Sequence, residues 1–455
     1  MAIKKLFVAN RGEIALRIVR AAQSLNIETV VAVSDADRES AAARLADRAI
    51  VLGPAAAAKS YLDPRLVVHA AKESGCDGLH PGYGFLSERA ILPRLCAEHG
   101  IAFVGPQADV IDALGDKLKA RAMAGAAGVP LVPGSDCVAS AADARVEGRR
   151  IGFPVLLKAA AGGGGRGMVI ANNEDEAEAG FHRASAEAVA AFGDGTLFME
   201  RFVPEARHVE VQLMGDGHGQ VLHFGERDCS VQRRYQKLIE EAPCAAMSDE
   251  LRSRLHEAAV ALAASVNYRN AGTAEFLFDV QRQEFYFIEV NARIQVEHPV
   301  SEMISGFDLV QEQIRIAGGA GLSIRQDDVR LSGHAIECRI NAEDPARDFM
   351  PSPGTIARWE PPAGPGTRLD SHMSAGATIP PFYDSMVGKL IVHGTNRANA
   401  IDMLSDAIDR FVVEGVPTTL GLHRAIIAHP DFVANRIHTR WLEQVFLPDF
   451  GKQAA

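Results

Sequence analysis

Four stretches of this chain gather side chains that could do chemistry. The first is Lys158 followed, three alanines later, by Gly162-Gly163-Gly164-Gly165-Arg166-Gly167. Glycines without Cβ atoms let a backbone approach a ligand and aim N–H groups at phosphate oxygens. Lys158 ends an apolar stretch from Val155 and adds a point charge. No Gly-Lys-Ser/Thr follows, so a P-loop is excluded as the form of the site. A flexible surface loop is the alternative. The second stretch pairs Glu275 with Glu289 across a short connection from Asp279 to Glu284. With a hairpin turn centred near Arg282, the two carboxylates face each other directly. On regular strands Glu275 shares a face with Thr273 and Leu277, and Glu289 with Phe287 and Asn291. Opposed like charges destabilise a sheet unless something neutralises them, and a hard cation such as Mg²⁺ does so. A solvated acidic face is the other reading.

The third stretch is Asn291-Ala-Arg293-Ile-Gln295-Val296-Glu297-His298-Pro299. Its arginine, glutamine and glutamate could hold a small planar anion and supply a general base, or could lie in a solvated loop. The fourth, Glu226 to Lys237, holds Arg227, Arg233, Arg234 and Lys237 in an otherwise acidic chain. It reads as an anion-focusing patch or, more commonly for such runs, a solvated face. His80 and His208, each taken alone, read as structural.

The elements that must position these groups follow from hydrophobic periodicity. Leu6 to Ala9 reads as a buried strand, Asn10-Arg11-Gly12 as a loop, and Ile14, Ile18 and Ala21 as one face of a helix. A second strand runs from Thr29 to Ser34, and the alternation continues to Val104-Gly105-Pro106. This rhythm predicts an open, Rossmann-like parallel sheet, yet G-x-G-x-x-G is missing, so a dinucleotide site there is unsupported. A Lys- and Ala-rich helix ends near Gly128. His208–Leu213, Thr273–Phe278 and Phe285–Asn291 alternate with period two, predicting antiparallel strands with one wet or ligand-facing side. A third region with Pro/Gly-rich loops begins near Leu331.

At 455 residues the chain exceeds one hydrophobic core. Its net charge of -11 argues against non-specific nucleic-acid binding. The six cysteines show no C-x-x-C pair and no zinc-ligand spacing, which predicts reduced thiols. No apolar run approaches a membrane span, and Met1 to Asn10 does not read as a signal peptide, so a cytoplasmic location is expected.

Lys158 with its glycines, Glu275, Glu289 and Asn291 together resemble the ATP-grasp fold. The strings His80-Pro-Gly-Tyr-Gly-Phe-Leu-Ser-Glu88, Glu226-Arg-Asp-Cys-Ser230, Asn291 to Pro299 and Glu337-Cys-Arg-Ile-Asn-Ala-Glu-Asp344 are similar to those of biotin carboxylases, from about residue 3 to about residue 445. The resemblance implies an α/β and α+β chain: a Rossmann-like N-terminal domain over 1–114, an ATP-grasp region with a glycine-rich lid over 115–325, and a mixed α+β C-terminal domain over 326–455. It implies that ATP, Mg²⁺ (or Mn²⁺) and bicarbonate are used to carboxylate biotin.

The resemblance also implies roles. Lys117 and Lys158 hold ATP phosphates beneath a lid containing Gly163, Gly164 and Gly165. Glu200, Arg201, Val203 and His208 hold the adenosine, Leu277 and Ile288 pack on the adenine, and Gln232 and Tyr235 lie along the nucleotide. Glu275, Glu289 and Asn291 hold the metal. Lys237, Arg293, Gln295 and Val296 hold bicarbonate, and Glu297 is its general base. Arg339 stabilises the biotin enolate, with Tyr83 nearby. The family usually has histidine where Tyr235 stands. No Met-Lys-Met biotinylation site is present. The expected partners are therefore a separate biotin carboxyl carrier protein and carboxyltransferase subunits, with the chain as a homodimer and no nucleic acid or membrane partner. Another ATP-grasp ligase, or a non-catalytic nucleotide-binding paralogue, is the competing reading.

Overall fold

The computed structural model describes residues 2–160 and 168–453. Strands β1 (Lys5–Val8), β2 (Glu28–Ser34), β3 (Arg48–Gly53), β4 (Gly78–His80) and β5 (Ala102–Phe103) form a parallel sheet of order β3-β2-β1-β4-β5. The Gly12–Ser24 helix buries Ile14, Ile18 and Ala21 as its periodicity predicts. Gly12, at φ +68°, makes the turn out of the loop, a conformation that favours glycine. Asn10 then earns its place in that loop: its carboxamide donates to the Pro81 carbonyl at 2.6 Å and the Tyr83 carbonyl at 2.8 Å.

Strands β6 (Val155–Ala159), β7 (Met168–Ala171) and β8 (Leu197–Arg201) make a small antiparallel sheet in the order β7-β6-β8. Val155, Leu157 and Ala159 enter its core, so Leu156 and Lys158 point the other way.

The largest sheet begins with β9 (Ala206–Asp216), β10 (Val221–Arg233), β11 (Gln236–Ala242), β12 (Arg269–Asp279), β13 (Glu284–Asn291) and β14 (His334–Asn341). Its order is β13-β12-β9-β10-β11-β14, continued by the Met386–Gly394 and Thr367–Ser371 strands. The three segments expected to be antiparallel strands are so. The side expected to be wet or ligand-facing is shut off from bulk solvent, with His208, Glu275 and Leu277 on a cavity wall. On β9 and β12, Val209, Val211, Ala274, Phe276 and Phe278 enter an apolar core, but Glu210, Gln212, Thr273 and Glu275 on the other face are buried as well. Alternation therefore marks a buried polar layer, made tolerable because its charges are paired. Arg227, fully buried, shows how: it donates to Glu210 at 2.7 Å, Gln212 at 2.8 Å, Ser301 at 3.0 Å and Thr273 at 3.3 Å.

Beyond β14, Leu404, Ile408, Leu422, Ile426 and Trp441 build a further core against the same sheet. All six cysteines are free thiols, with Cys137 alone exposed. Among the described residues no helix is long and apolar enough to cross a membrane.

Candidate active site

A cavity of about 1330 Å³ opens between the small sheet, the large sheet and the Tyr83 loop. Its wall includes Tyr83, Lys117, Lys158, Glu200, Arg201, Val203, His208, Gln232, Tyr235, Lys237, Glu275, Leu277, Ile288, Glu289, Asn291, Arg293, Gln295, Val296 and Arg339. Every described residue to which the resemblance gave a role is thus gathered there except Glu297; Arg227 and Arg233 of the charged run do not line it. Gly163, Gly164 and Gly165 lie outside the described residues.

Glu297 sits behind the wall, fully buried at the entry to the His298–Ser305 helix. Lys237 donates to its Oε1 at 2.7 Å and Arg339 to its Oε2 at 2.8 Å. Burial pushes its pKa up, but Lys237, Arg339 and Arg227 outweigh that and hold it well below the usual carboxylate range. Lys237 is itself the hub of three carboxylates: Glu297, Glu275 at 3.0 Å, and Glu210. Arg339 also donates to Glu240 at 2.6 Å. Arg293 is spread flat between Glu88 at 2.8 Å, Gln295 at 2.7 Å and Asn291 at 3.0 Å, which leaves its guanidinium facing the cavity in one orientation.

Glu275 and Glu289 pair directly, as expected, but not through the turn alone: Asp279 pairs with Glu284, a register that by itself would set Ile288 opposite Glu275. The face assignment needs correction. A bulge follows: Phe276 pairs with Phe287, so Ile288 is the extra residue. Phe287 packs in the apolar core with part of it on the cavity wall, and the consecutive, half-buried Ile288 and Glu289 both line the cavity. An apolar platform and an acidic ligand can therefore come from neighbouring positions.

The carboxylates and Asn291 suit a hard divalent cation. Glu275 already accepts from Lys237, Asn291 at 2.9 Å, Gln295 at 3.2 Å and His208 at 2.9 Å. Glu289 has Lys117 alone as an ion-pair partner among the described residues, at 3.8 Å. Burial and the nearby Glu275 charge both push the Glu289 pKa up, so a cation there relieves a real repulsion. His208, Glu210 and Glu275 also cluster closely enough to ligate a metal. Glu210, however, is held by Arg227 and Lys237 and does not line the cavity, whereas Glu275, Glu289 and Asn291 do.

Lys158 donates to Glu200 at 2.7 Å, which also receives Arg121. His80 is buried and accepts from the Gly82 amide at 3.0 Å, a structural role, whereas His208 bonds Glu275 within the site. The charged run Glu226–Lys237 is not a solvated face: it is the β10–β11 hairpin, with Glu226 buried against Arg252 and His256. Its tip is Arg234-Tyr235, both at positive φ, and Tyr235 is 59% exposed beside the cavity. Arg233 and Arg234 reach Asp348.

Sequence reasoning overlooked Glu210, Glu240, Glu88 and Arg121. Glu210 lay inside the alternating His208–Leu213 segment, and Arg121 stands four residues after Lys117, on the same helical face. Glu240 carried no such signal, because its value comes from Arg339 on another strand.

Residues 116–325 match the family description "Carbamoyl-phosphate synthase L chain, ATP binding domain". Fold and site together therefore define an ATP-grasp ligase. Residues 2–111 and 337–444 match the N-terminal and C-terminal domains of biotin carboxylase, and the chain belongs to the biotin carboxylase family. It is 48% identical over 442 residues to biotin carboxylase 1 of Bacillus subtilis, covering 97% of this chain and 98% of that one. It superimposes with a TM-score of 0.93 on a biotin carboxylase–β,γ-ATP complex from Campylobacter jejuni, at 45% identity, covering 97% of this chain and 99% of that one. The biotin carboxylase domain dimer of Hydrogenobacter thermophilus 2-oxoglutarate carboxylase, with MgADP, ADP and bicarbonate, matches with a TM-score of 0.91 at 45% identity, over 98% of each chain.

Proposed function

We propose that this enzyme uses ATP and bicarbonate to carboxylate biotin carried on a separate carrier protein. The observation that carries this reading is the double grip on Glu297, with Lys237 on one oxygen and Arg339 on the other. One carboxylate thus stands between a cation suited to an anionic substrate and an arginine suited to the developing charge on biotin.

Lys117 and Lys158 neutralise phosphate charge, and His208, Glu200, Arg201 and Val203 seat the adenosine against Leu277 and Ile288. Gln232 and Tyr235 lie along the nucleotide. A divalent cation held by Glu275, Glu289 and Asn291 supplies further neutralisation of the phosphoryl group. Lys237, Arg293, Gln295 and Val296 hold bicarbonate. Its negative charge weakens the grip of Lys237 on Glu297, which makes Glu297 a stronger base as the substrate arrives. Glu297 takes the bicarbonate proton while a bicarbonate oxygen attacks the γ-phosphorus and ADP leaves. The carboxyphosphate formed breaks to CO₂ and phosphate. Phosphate takes the N1 proton of biotin, Arg339 stabilises the resulting enolate-like ureido oxygen, and N1 attacks CO₂. Tyr83 borders the biotin end.

The reading places domain boundaries near residues 114 and 325. It makes the chain a cytoplasmic homodimer that works with a biotin carboxyl carrier protein and carboxyltransferase subunits. The test is phosphate release from ATP with Mg²⁺ and bicarbonate, followed with and without free biotin. Stimulation by biotin together with carboxybiotin formation is expected. Phosphate release that biotin leaves unchanged, with no carboxybiotin, overturns the reading.

A further inference from the structure

Lys389 lies in the Met386–Gly394 strand, with no part of its side chain reaching solvent. It stands directly across from Arg339 on β14. Two cations in opposed cross-strand positions repel, and burying an ammonium is costly, so a lysine here needs a reason beyond filling space. Its partners supply one. The ammonium donates to the main-chain carbonyl of Val296 at 2.8 Å and pairs with Glu13 Oε1 at 3.1 Å, with Asp370 at 3.9 Å. Glu13, in the first turn of the Gly12–Ser24 helix, accepts a short hydrogen bond from the Tyr83 hydroxyl. Its second oxygen has no partner among the described residues, so all its bonding is spent on Lys389 and Tyr83. A buried ion pair alone would need only the carboxylates. The bond to Val296, one residue before Glu297, is additional.

We propose that Lys389 is a positioning residue for carboxyl transfer: it fixes the Val296 carbonyl and, through Glu13, the Tyr83 hydroxyl, so the bicarbonate side and the biotin side of the cavity keep one spacing. Three remote segments meet at this one side chain: the Asn291–Glu297 loop, the Tyr83 loop and the start of the first helix. The effect is geometric. Lys389 touches no reacting atom, and its loss misplaces both the base and the biotin-side tyrosine. The inference rests on the biotin carboxylase reading given above.

The test uses the full chain carrying Lys389→Met together with Glu13→Gln, which removes both charges of the pair and leaves neither ion stranded. MgADP affinity and the melting temperature report whether the fold is kept. Three kinetic quantities are followed: KM for bicarbonate, kcat, and carboxybiotin formed per ATP cleaved with free biotin. With MgADP affinity unchanged, bicarbonate KM is expected to rise and the coupling ratio to fall, each by about tenfold or more, since small misplacements of reacting groups have large effects. A folded double variant with wild-type bicarbonate KM and wild-type coupling overturns the proposal. Glu13→Gln alone serves as the second variant should the double variant not fold. It keeps the size of Glu13 and leaves Lys389 on Val296, so coupling should fall while bicarbonate KM holds. Unchanged coupling there also overturns the proposal. If the wild-type protein itself makes no carboxybiotin, it is the functional reading that fails, and the variants do not bear on that outcome.

Discussion

Glu275 and Glu289 stand directly opposite each other on adjacent antiparallel strands, and the bulge beside them turns Glu289 and its neighbour Ile288 to the same cavity. Two acidic groups in that arrangement need a cation. Glu275 has Lys237 and His208 close by, whereas among the described residues Glu289 has only a distant Lys117.

Glu289→Gln should therefore loosen the metal site with little effect on the fold. The Mg²⁺ concentration for half-maximal ATP cleavage is expected to rise by roughly tenfold or more, as for weakened metal-site groups generally. A Mg²⁺ titration of phosphate release checks this. An unchanged midpoint would remove Glu289 from the donor set.

Glu297 and Arg339 should separate the two halves of the reaction. Glu297→Gln keeps size and loses the base, so both bicarbonate-dependent ATP cleavage and carboxybiotin formation should fall by about 10²-fold or more. Arg339→Gln should retain much of the ATP cleavage while carboxybiotin collapses. Parallel assays of phosphate and carboxybiotin decide it: equal loss of both signals in Arg339→Gln contradicts the assignment.

Tyr235 sits at the exposed tip of the β10–β11 hairpin. Tyr235→His should leave kcat within about a few-fold and change mainly KM for ATP, the signature of altered ground-state binding. A large fall in kcat at unchanged KM would mean that the hairpin tip acts on the chemical step.

Arg227 is the internal strut of the polar layer, with Glu210 its charged partner. Arg227→Met leaves Glu210 dependent on Lys237, which Glu275 and Glu297 share, and should destabilise the protein by about 3–5 kcal/mol. Chemical denaturation measures this, and adding Glu210→Gln should restore part of the loss. A single variant as stable as wild type would show that the pair contributes nothing.

Acid stability should reflect Glu226 and Glu241. Burial pushes both carboxyls up, but His256 with Arg252, and His334 with Arg397, bring them down to about 2 from the ordinary 4.5. A folded-state pKa lowered in this way adds stability above pH 4.5 and loses it as pH falls toward 2. The melting temperature should drop steeply across that window. Glu241→Gln should melt lower at neutral pH and show a shallower drop in acid. An identical slope in the variant would place the acid sensitivity elsewhere.

Much of this protein could be read from its sequence because the relevant signals are local. Periodicity set the Gly12–Ser24 helix and the parallel rhythm of β1 to β5, and the short Asp279–Glu284 connection marked the hairpin that brings the Glu275 and Glu289 strands together, while a bulge supplied the one residue that makes those two direct partners. Residue strings sufficed to name most of the charged groups on the cavity wall, but not most of its apolar lining or of its C-terminal side. Other features needed the tertiary structure, because they depend on partners far away in the chain. Alternation in β9 and β12 could not tell a wet face from a buried one: Glu210 is dry only because Arg227 and Lys237 from other strands neutralise it. The bulge at Ile288 reversed a face by one residue, which period-two reasoning cannot anticipate. Glu297 was recognised from its string, but its place behind the wall, held by Lys237 from β11 and Arg339 from β14, exists only once those strands are neighbours in the sheet. Lys389 carried no sequence signal at all, since its role lies in joining Val296 to Glu13, segments 283 residues apart that only the packed fold brings to one ammonium group.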